Sequence, residues 1–313
     1  MLVAWEAEDG FFRSVPGCGL LVPNLTARSY FLQRNRLARS VRKVFPTVGE
    51  NLFYDAGKVV VLFLMWLDDA VRHLLCDPHR KKIVYIFDAW APQWTQMEQK
   101  MRMWRNVSIV FFASRQACEH FSDVFAFPIQ WCPQAADPAT FSRASSANAF
   151  PTQPTILNIG RPNRTLAAFF DSFSRKHGFR HIVQSTVEGV LFPTRTAFAG
   201  ALARSSIVVV HPRNLDSPEV TGAVSTLTAR YYEAYNSGGI VCGFKPTSGE
   251  FDQVLSGYPF LEFQDERTFE AALLHELSEL EKWKQAKYNI ALEHSWDARA
   301  LTMMSAISRS DLK

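Results

Sequence analysis

The segment from residue 227 to residue 243 constrains the fold more than any other part of the chain. Its first part favours a helix, with Glu233 near the middle. The pair Gly238-Gly239 would end that helix, because glycine is the usual residue just past a helix C-terminus. The apolar run 240–244 follows at once and is typical of a buried strand. The segment therefore predicts a helix–turn–strand corner of an α/β protein.

Length and composition favour an ordinary globular protein. The 313 residues suffice for about two domains. Apolar residues make up 47% of the chain and charged residues 20%, so sizeable cores can form. The net charge of +4 does not indicate a nucleic-acid partner, but it suits local binding of an anionic ligand.

The cysteines and the apolar runs indicate the compartment. Five cysteines are scattered without a C-x-x-C pair, which is typical of a reducing environment. Residues 1–10 do not resemble a signal peptide. The longest apolar run, 59–67, is too short to span a bilayer. We expect a soluble, cytoplasmic protein.

Strands and helices alternate along both halves of the chain, which predicts an α/β fold with Rossmann-like sheets. In the first half we predict strands at 58–66, 83–87, 107–113 and 128–132, with helices at 68–76, 93–105 and 114–122. In the second half we predict strands at 155–159, 180–184, 207–210, 240–244 and 260–263, with helices at 164–177, 195–204 and 249–255 and a long helical tail from 266. The Pro/Ser/Ala-rich segment 138–154 between the halves is typical of a linker.

Three short motifs give the chain a resemblance to a known family. The corner matches the pattern R-x-x-E-A-x-x-x-G-G at Arg230, Glu233, Ala234, Gly238 and Gly239. Gly160-Arg161 follows the first strand of the second half, as the family's G-R does, and residues 294–300 are similar to its terminal S-W-x-x-x-A. In these respects the chain resembles GT-B glycosyltransferases of the group 1 or CgeB-like, family-4-like kind. The resemblance covers 156–307 well and the first half from about residue 59.

The resemblance implies a domain arrangement. It implies two Rossmann-like domains facing across a cleft, an acceptor domain over 1–145 and a donor domain over 146–290. A C-terminal helix at 291–313 would pack back on the first domain.

The resemblance also implies where the sugar nucleotide binds. Glu233 would accept hydrogen bonds from ribose hydroxyls, which a carboxylate can do with two oxygens. The family's usual E-x7-E spacing is broken here, because Glu219 lies fourteen positions before Glu233. Either Asp216 or Glu219 would therefore contact the transferred sugar, and a solvated loop acid is the alternative for both.

A diphosphate needs cations or backbone N–H groups. By resemblance the candidates begin at Gly160 and Arg161, and Arg164 would replace the family's lysine, a reasonable exchange because arginine binds phosphate in a bidentate way. Arg213 and Arg230 are further candidates, and the alternative is solvated loop arginines. The absence of G-x-G-x-x-G in the sequence argues against an NAD enzyme.

Asp88 and His211 are the candidates at the reacting centre. Asp88 follows a predicted strand in a loop with Trp90 and Trp94, and aromatic rings beside a carboxylate are typical of sugar sites. An inverting enzyme would need a base there, whereas a retaining one would not. His211 ends a predicted strand at the presumed cleft. Each residue has a purely structural alternative, as a loop cap and as a strand-end residue.

We expect neither a metal site nor a cofactor beyond the co-substrate. The eight histidines lack zinc-ligand spacing, and no D-x-D follows a strand, which disfavours the metal-dependent GT-A class. The stretch 26–45 carries six cations and no acid, so it would suit peripheral contact with an anionic membrane, with a solvated or acceptor-binding face as the alternative.

The sequence thus predicts a retaining, metal-independent hexosyltransferase that uses a nucleotide diphosphate sugar and a hydroxyl acceptor. Retention follows from the resemblance alone. Two other functions stay open: a nucleotide-sugar epimerase of the same fold, and a degenerate transferase that binds a glycan or a partner.

Overall fold

A computed structural model describes residues 60–67, 72–79, 81–137, 141, 153–183, 192 and 194–310, without the side chains of 73 and 308–310. The basic stretch 26–45 and most of the segment 138–154 lie outside the described residues. The chain divides into two compact units. Of the described residues, those from 60 to 132 and from 300 to 310 form one unit, and those from 133 to 299 form the other.

The first unit contains a four-stranded parallel sheet in the order β1-β2-β3-β4. Its strands are β1 (Val60–Leu64), β2 (Lys82–Ile86), β3 (Val107–Phe112) and β4 (Ile129–Trp131). Its first helices are α1 (Arg72–Cys76), α2 (Trp94–Met101) and α3 (Arg115–Ser122). All residues of β2 are buried, as expected for a central parallel strand covered on both faces.

The second unit contains a five-stranded parallel sheet in the order β6-β5-β7-β8-β9. Its strands are β5 (Thr155–Asn158), β6 (Arg180–Val183), β7 (Ile207–Val210), β8 (Ile240–Gly243) and β9 (Leu261–Glu262). Its helices are α4 (Arg164–His177), α5 (Arg195–Ala203), α6 (Pro218–Thr221), α7 (Ala229–Tyr235), α8 (Glu250–Val254), α9 (Glu266–Glu276) and α10 (Glu281–Glu293). The predicted α/β fold class is confirmed.

Strand order reverses at β5 in this second sheet. The chain passes from β5 to β6 on one side and then returns to β7 on the other side. In open parallel sheets, ligands bind outside the carboxyl ends of the strands at such a reversal. The segments that follow β5 and β7 are therefore the place to look for a functional site.

The helical tail predicted from residue 266 is present and consists of three helices. Helices α9 and α10 are separate, and a further helix, α11 (Trp296–Ser310), follows them. The hydroxyl of Ser295 accepts a hydrogen bond from the backbone N–H of Ala298 and so begins α11. Periodicity alone does not reveal such a break. Within the described parts of the chain, no helix is long and apolar enough to cross a membrane.

The corner predicted from the sequence is present, and Gly243 explains how tightly it packs. Helix α7 ends near Asn236, and β8 begins at Ile240. Gly243 closes β8 at a φ of 133°, and a Cβ there would lie 2.0 Å from the carbonyl oxygen of Val210 on β7. Only glycine fits, because both the backbone angle and the contact exclude a side chain.

We predict that Gly243→Ala destabilises the protein by at least about 2 kcal/mol, since it combines backbone strain with overpacking. Gly257→Ala is the matched control, because a Cβ at Gly257 would meet nothing within 4 Å. Urea unfolding of both variants measures the effect. Equal stability of the two variants would contradict this description of the corner.

Candidate functional site

A buried polar cluster lies at the strand reversal of the second unit, and within it the Arg230 side chain packs against the backbone of Gly160. Gly160 follows β5 with a φ of 88°. A Cβ at Gly160 would lie 2.5 Å from both Cζ and Nη1 of Arg230. The guanidinium therefore rests directly against the backbone of Gly160. The structure brings together two residues that are seventy positions apart in the sequence.

Arg230, the second residue of α7, is a cation without a bound partner. Its guanidinium makes no hydrogen bond or ion pair with any described residue, and the residue keeps some solvent exposure. Burial lowers the pKa of Arg230, while the nearby carboxylates of Asp216 and Glu233 oppose that shift and the Arg213 cation adds to it. An arginine remains protonated at neutral pH even so. The guanidinium can therefore accept an anionic ligand.

His211 and Asp216 meet beside this arginine. His211 follows β7 directly and is fully buried, and its Nε2 lies 2.5 Å from Oδ1 of Asp216. The two atoms are close but are not aligned as a hydrogen bond. The other ring nitrogen, Nδ1, has no partner among the described residues. The pair is thus a short contact in which both side chains keep atoms free to form hydrogen bonds.

Asn158, the last residue of β5, extends the cluster. It is fully buried, and neither atom of its amide has a partner within the described ranges. Asn158 pairs in register with Val209, and residues two apart on a strand share a face, so Asn158 and His211 lie on the same face of the sheet. Unpartnered buried polar groups are rare and concentrate where a ligand or water completes them. Nothing in the sequence motifs pointed to Asn158.

Glu233 is held by an arginine that the sequence patterns did not reveal. Its Oε1 lies 2.7 Å from Nη2 of Arg195, and only 6% of the glutamate side chain is exposed. Glu233 is thus neither solvated nor paired with Arg230. Arg195 is the first residue of α5, and its guanidinium lies 5.0 Å from the ring centre of Phe141 and 5.5 Å from that of Phe198.

The other predicted donor residues lie around this cluster with different degrees of engagement. Arg161 donates from Nη1 to the hydroxyl of the buried Ser217. Arg213 lies on a 3₁₀ turn after β7, close enough to Arg230 for the two charges to repel. Arg164 begins α4 and Glu219 lies on the one-turn helix α6; both are exposed and contact no described charged group.

Two side chains fix the start of α7, and neither was predicted. The side-chain oxygen of Gln134 accepts a hydrogen bond of 2.8 Å from the backbone N–H of Ala229. Glu250 is fully buried and accepts from the Thr226 hydroxyl at 2.8 Å and from the Leu227 N–H at 2.6 Å. They hold the loop before α7, and with it Arg230. Their partners are distant in sequence, so local patterns carry no signal of them.

Asp88 belongs to the first unit. It follows β2, and its backbone N–H donates to the carbonyl of Met65. Trp90 is buried in the core, and the Trp94 ring stacks on His120 with the ring centres 4.2 Å apart. The indole N–H of Trp94 also donates to the carbonyl of Ala89. The loop tryptophans thus pack against protein groups.

His294 gives the second unit a pH-sensitive contact. Its Nδ1 accepts a hydrogen bond of 2.8 Å from Nη2 of Arg299, which requires that nitrogen to be unprotonated. Burial and the Arg299 charge lower the pKa of His294 to about 4. The unfolded chain therefore binds a proton as the pH falls through 6.5, whereas the folded chain resists until about pH 4.

We predict that this one histidine costs about 2 kcal/mol of stability between pH 7 and pH 4.5, because the unfolded state binds more protons there. Replacing it, as in His294→Gln, should reduce the acid sensitivity by about that amount. Unfolding by urea at both pH values measures it. The exposed His275→Gln is the control, and equal pH slopes for the two variants would refute the assignment.

Comparison with known proteins relates the architecture to solved structures. No protein-family model and no curated protein matches the sequence. The structure of TarM aligns with a TM-score of 0.51 and 10% identity, covering 80% of this chain and 54% of TarM. The Glycosylation Associate Protein (Gap123) complex from Streptococcus agalactiae aligns with a TM-score of 0.54 and 9% identity, covering 88% of this chain and 58% of that one. A glycosyltransferase of avilamycin A biosynthesis, AviGT4, has a TM-score of 0.43, too low to carry weight.

These likenesses concern the fold alone, and the chain spans a little over half the length of the TarM and Gap123 chains it matches. Together with the two parallel α/β sheets, they show the fold of the GT-B glycosyltransferases, which confirms the fold implied by the sequence motifs.

Proposed function

We propose that this chain, whose fold is that of the GT-B glycosyltransferases, transfers a hexose from a nucleotide diphosphate sugar to a hydroxyl acceptor. The observation that carries the proposal is Arg230, a half-buried guanidinium that lies at the strand reversal without a bound partner among the described residues. An anion is the ligand that such a group favours. A diphosphate supplies one with charge to match several arginines.

The proposed reaction replaces one glycosidic bond by another. The bond between the anomeric carbon and the phosphate oxygen breaks, and the nucleoside diphosphate leaves with the electron pair. A bond forms between the anomeric carbon and the acceptor oxygen, whose proton is released. Negative charge grows on the leaving diphosphate, so fixed cations near it lower the barrier.

The arginines of the second unit would provide that positive charge in place of a metal ion. Arg230 and Arg213 lie close to each other, and Arg161 is oriented by its hydrogen bond to Ser217. Arg164 at the start of the fourteen-residue helix α4 adds a flexible cation at a helix N-terminus, where the backbone N–H groups also favour anions.

Glu233 would bind the ribose, and an acid after β7 would bind the transferred sugar. Of the two acids, Glu219 is exposed and makes no described ion pair, so it can reach a ligand. Asp216 is buried against His211, so it would act by holding that ring. In the proposal His211 therefore serves the reacting centre from a fixed, buried position.

The acceptor side of the proposal rests on the first unit. Asp88 would contact the acceptor hydroxyl there, and reaction with retention of configuration would need no base. The basic stretch 26–45 would contact anionic membrane from the cytoplasmic side if the acceptor were lipid-linked. Such an activity would suit polysaccharide biosynthesis.

We predict that Arg230→Gln weakens the binding of a nucleoside diphosphate at least about 10-fold, because a charge-assisted contact is lost. A thermal-shift screen with UDP, GDP, ADP and CMP, followed by titration calorimetry, measures the effect. Arg175→Gln is the control, since Arg175 is exposed on α4. If no nucleotide shifts the wild type at millimolar concentration, the transferase proposal fails.

Gly160→Ala tests the same contact from the other side. The added Cβ would displace the guanidinium of Arg230, so nucleotide affinity should fall about as far as in Arg230→Gln. Gly178→Ala is a matched control: its φ of 73° gives similar strain, but a Cβ there would meet nothing within 4 Å. Both variants should lose about 1 kcal/mol of stability. Equal nucleotide affinity in the two variants would refute the role of this contact.

One observation favours a second function, a degenerate transferase that only binds a glycan or a partner. The spacing of the two acids departs from the family's E-x7-E pattern, because Glu219 lies fourteen positions before Glu233. Nucleotide binding without release of nucleoside diphosphate from any sugar donor would support that function. Turnover of a nucleotide sugar without an acceptor would instead indicate an epimerase.

A further inference from the structure

We infer that Arg195 is a positioning residue of the donor site, which orients the Glu233 carboxylate toward the ribose hydroxyls. The inference rests on the proposed function, because it concerns the same site. Its basis is a chain of contacts that runs from two aromatic rings through Arg195 to Glu233.

The contact between the two charged groups is short and poorly solvated. Nη2 of Arg195 lies 2.7 Å from Oε1 of Glu233, and the side chains are 17% and 6% exposed. Exposed ion pairs contribute little, but removal of one partner from a buried pair leaves an uncompensated charge. The pair therefore restricts the glutamate, whose side chain would otherwise rotate about three bonds.

Arg195 is itself fixed. Its guanidinium lies over the rings of Phe141 and Phe198, at distances typical of cation–π contacts. Its backbone begins α5, where the Thr194 hydroxyl accepts a hydrogen bond from the backbone N–H of Ala197. A cation that two rings hold in place can keep a carboxylate in one orientation.

The position of Arg195 is electrostatically unfavourable without its partner. Helix N-termini carry partial positive charge, so a cation in the first turn of α5 is disfavoured. The negative charge of Glu233 compensates for this. A cation at this unfavourable position is expected if the orientation of the Glu233 carboxylate contributes to ligand binding.

The contact leaves one carboxylate oxygen available. Glu233 makes its described ion pair through Oε1, and Oε2 has no hydrogen-bond or ion-pair partner within the part of the chain that the structure describes. A carboxylate oxygen has two lone pairs and can accept from two hydroxyls. Arg195 thus directs Oε2 toward a vicinal diol. Arg230, one turn before Glu233 in α7, faces the anionic part of the ligand.

A double-mutant cycle on ribose recognition tests this inference. The proteins are the wild type, Arg195→Gln, Glu233→Gln and the double variant. The probes are UDP, GDP and ADP, each with its 2′,3′-dideoxy counterpart, and titration calorimetry gives the dissociation constants. The readout is the affinity ratio between the ribose and dideoxy forms, which loss of stability alone would not change.

We expect the wild type to bind the ribose form about 10-fold more tightly than the dideoxy form, and each single variant to reduce that ratio to about one. The double variant should lose no more, because Arg195 acts through Glu233. Arg195→Lys should restore part of the ratio, since lysine keeps the charge but lacks the planar guanidinium. If Arg195→Gln does not fold, Arg195→Lys replaces it in the cycle.

Four results would overturn the inference. If the wild type binds a nucleotide but does not distinguish ribose from dideoxyribose, or if Arg195→Gln keeps the full ratio, Arg195 has no positioning role while the proposed function stands. The same holds if the effects of the two single variants add in the double variant. If the wild type binds no nucleotide at all, the proposed function fails and the inference fails with it.

Discussion

The packing of the Arg230 guanidinium against the Gly160 backbone is the contact on which the rest of the candidate site depends. Gly160 has its place because β5 is the strand at which sheet order reverses. Arg230 has its place because Gln134 and Glu250 hold the segment that leads into α7. The Arg230 side chain therefore meets the Gly160 backbone at a point where a Cβ on residue 160 would not fit.

The electrostatics of the cluster follow from that close approach. Burial weakens the hydration of the Arg230 cation, which lowers its pKa, and the carboxylates of Asp216 and Glu233 counteract this from a distance. Neither carboxylate forms an ion pair with Arg230, because Asp216 contacts His211 and Glu233 contacts Arg195. The acids thus favour the charged form of the guanidinium while its N–H donors stay available. Because each acid contacts another residue, it raises the pKa of Arg230 without occupying the N–H donors of the guanidinium.

The sequence revealed the elements that depend on local patterns. Helix 164–177 and strand 207–210 match the structure because a capping asparagine, a terminal glycine and a continuous apolar run are local signals. It also brought Gly160, Arg230 and Glu233 into one hypothesis, through motif resemblance. Arg195 was not predicted, since its partner Glu233 lies far away in the chain, and Asn158 was not predicted, since it belongs to none of the sequence motifs. The helical tail and its C-terminal helix were predicted, whereas the break between α9 and α10 was not, because periodicity alone gives no signal of it.

The unsatisfied polar atoms connect stability with function. Asn158 and His211 are fully buried with atoms that lack partners among the described residues, and such groups each cost on the order of 1–3 kcal/mol. The second unit can carry that cost because its sheet is covered by a continuous apolar core from β5 to α10. A cluster that served packing alone would have no reason to keep these atoms unpaired, whereas a site that is completed by a polar ligand does. The same groups that lower the stability of the protein would then contribute to ligand affinity, because binding would supply their hydrogen-bond partners.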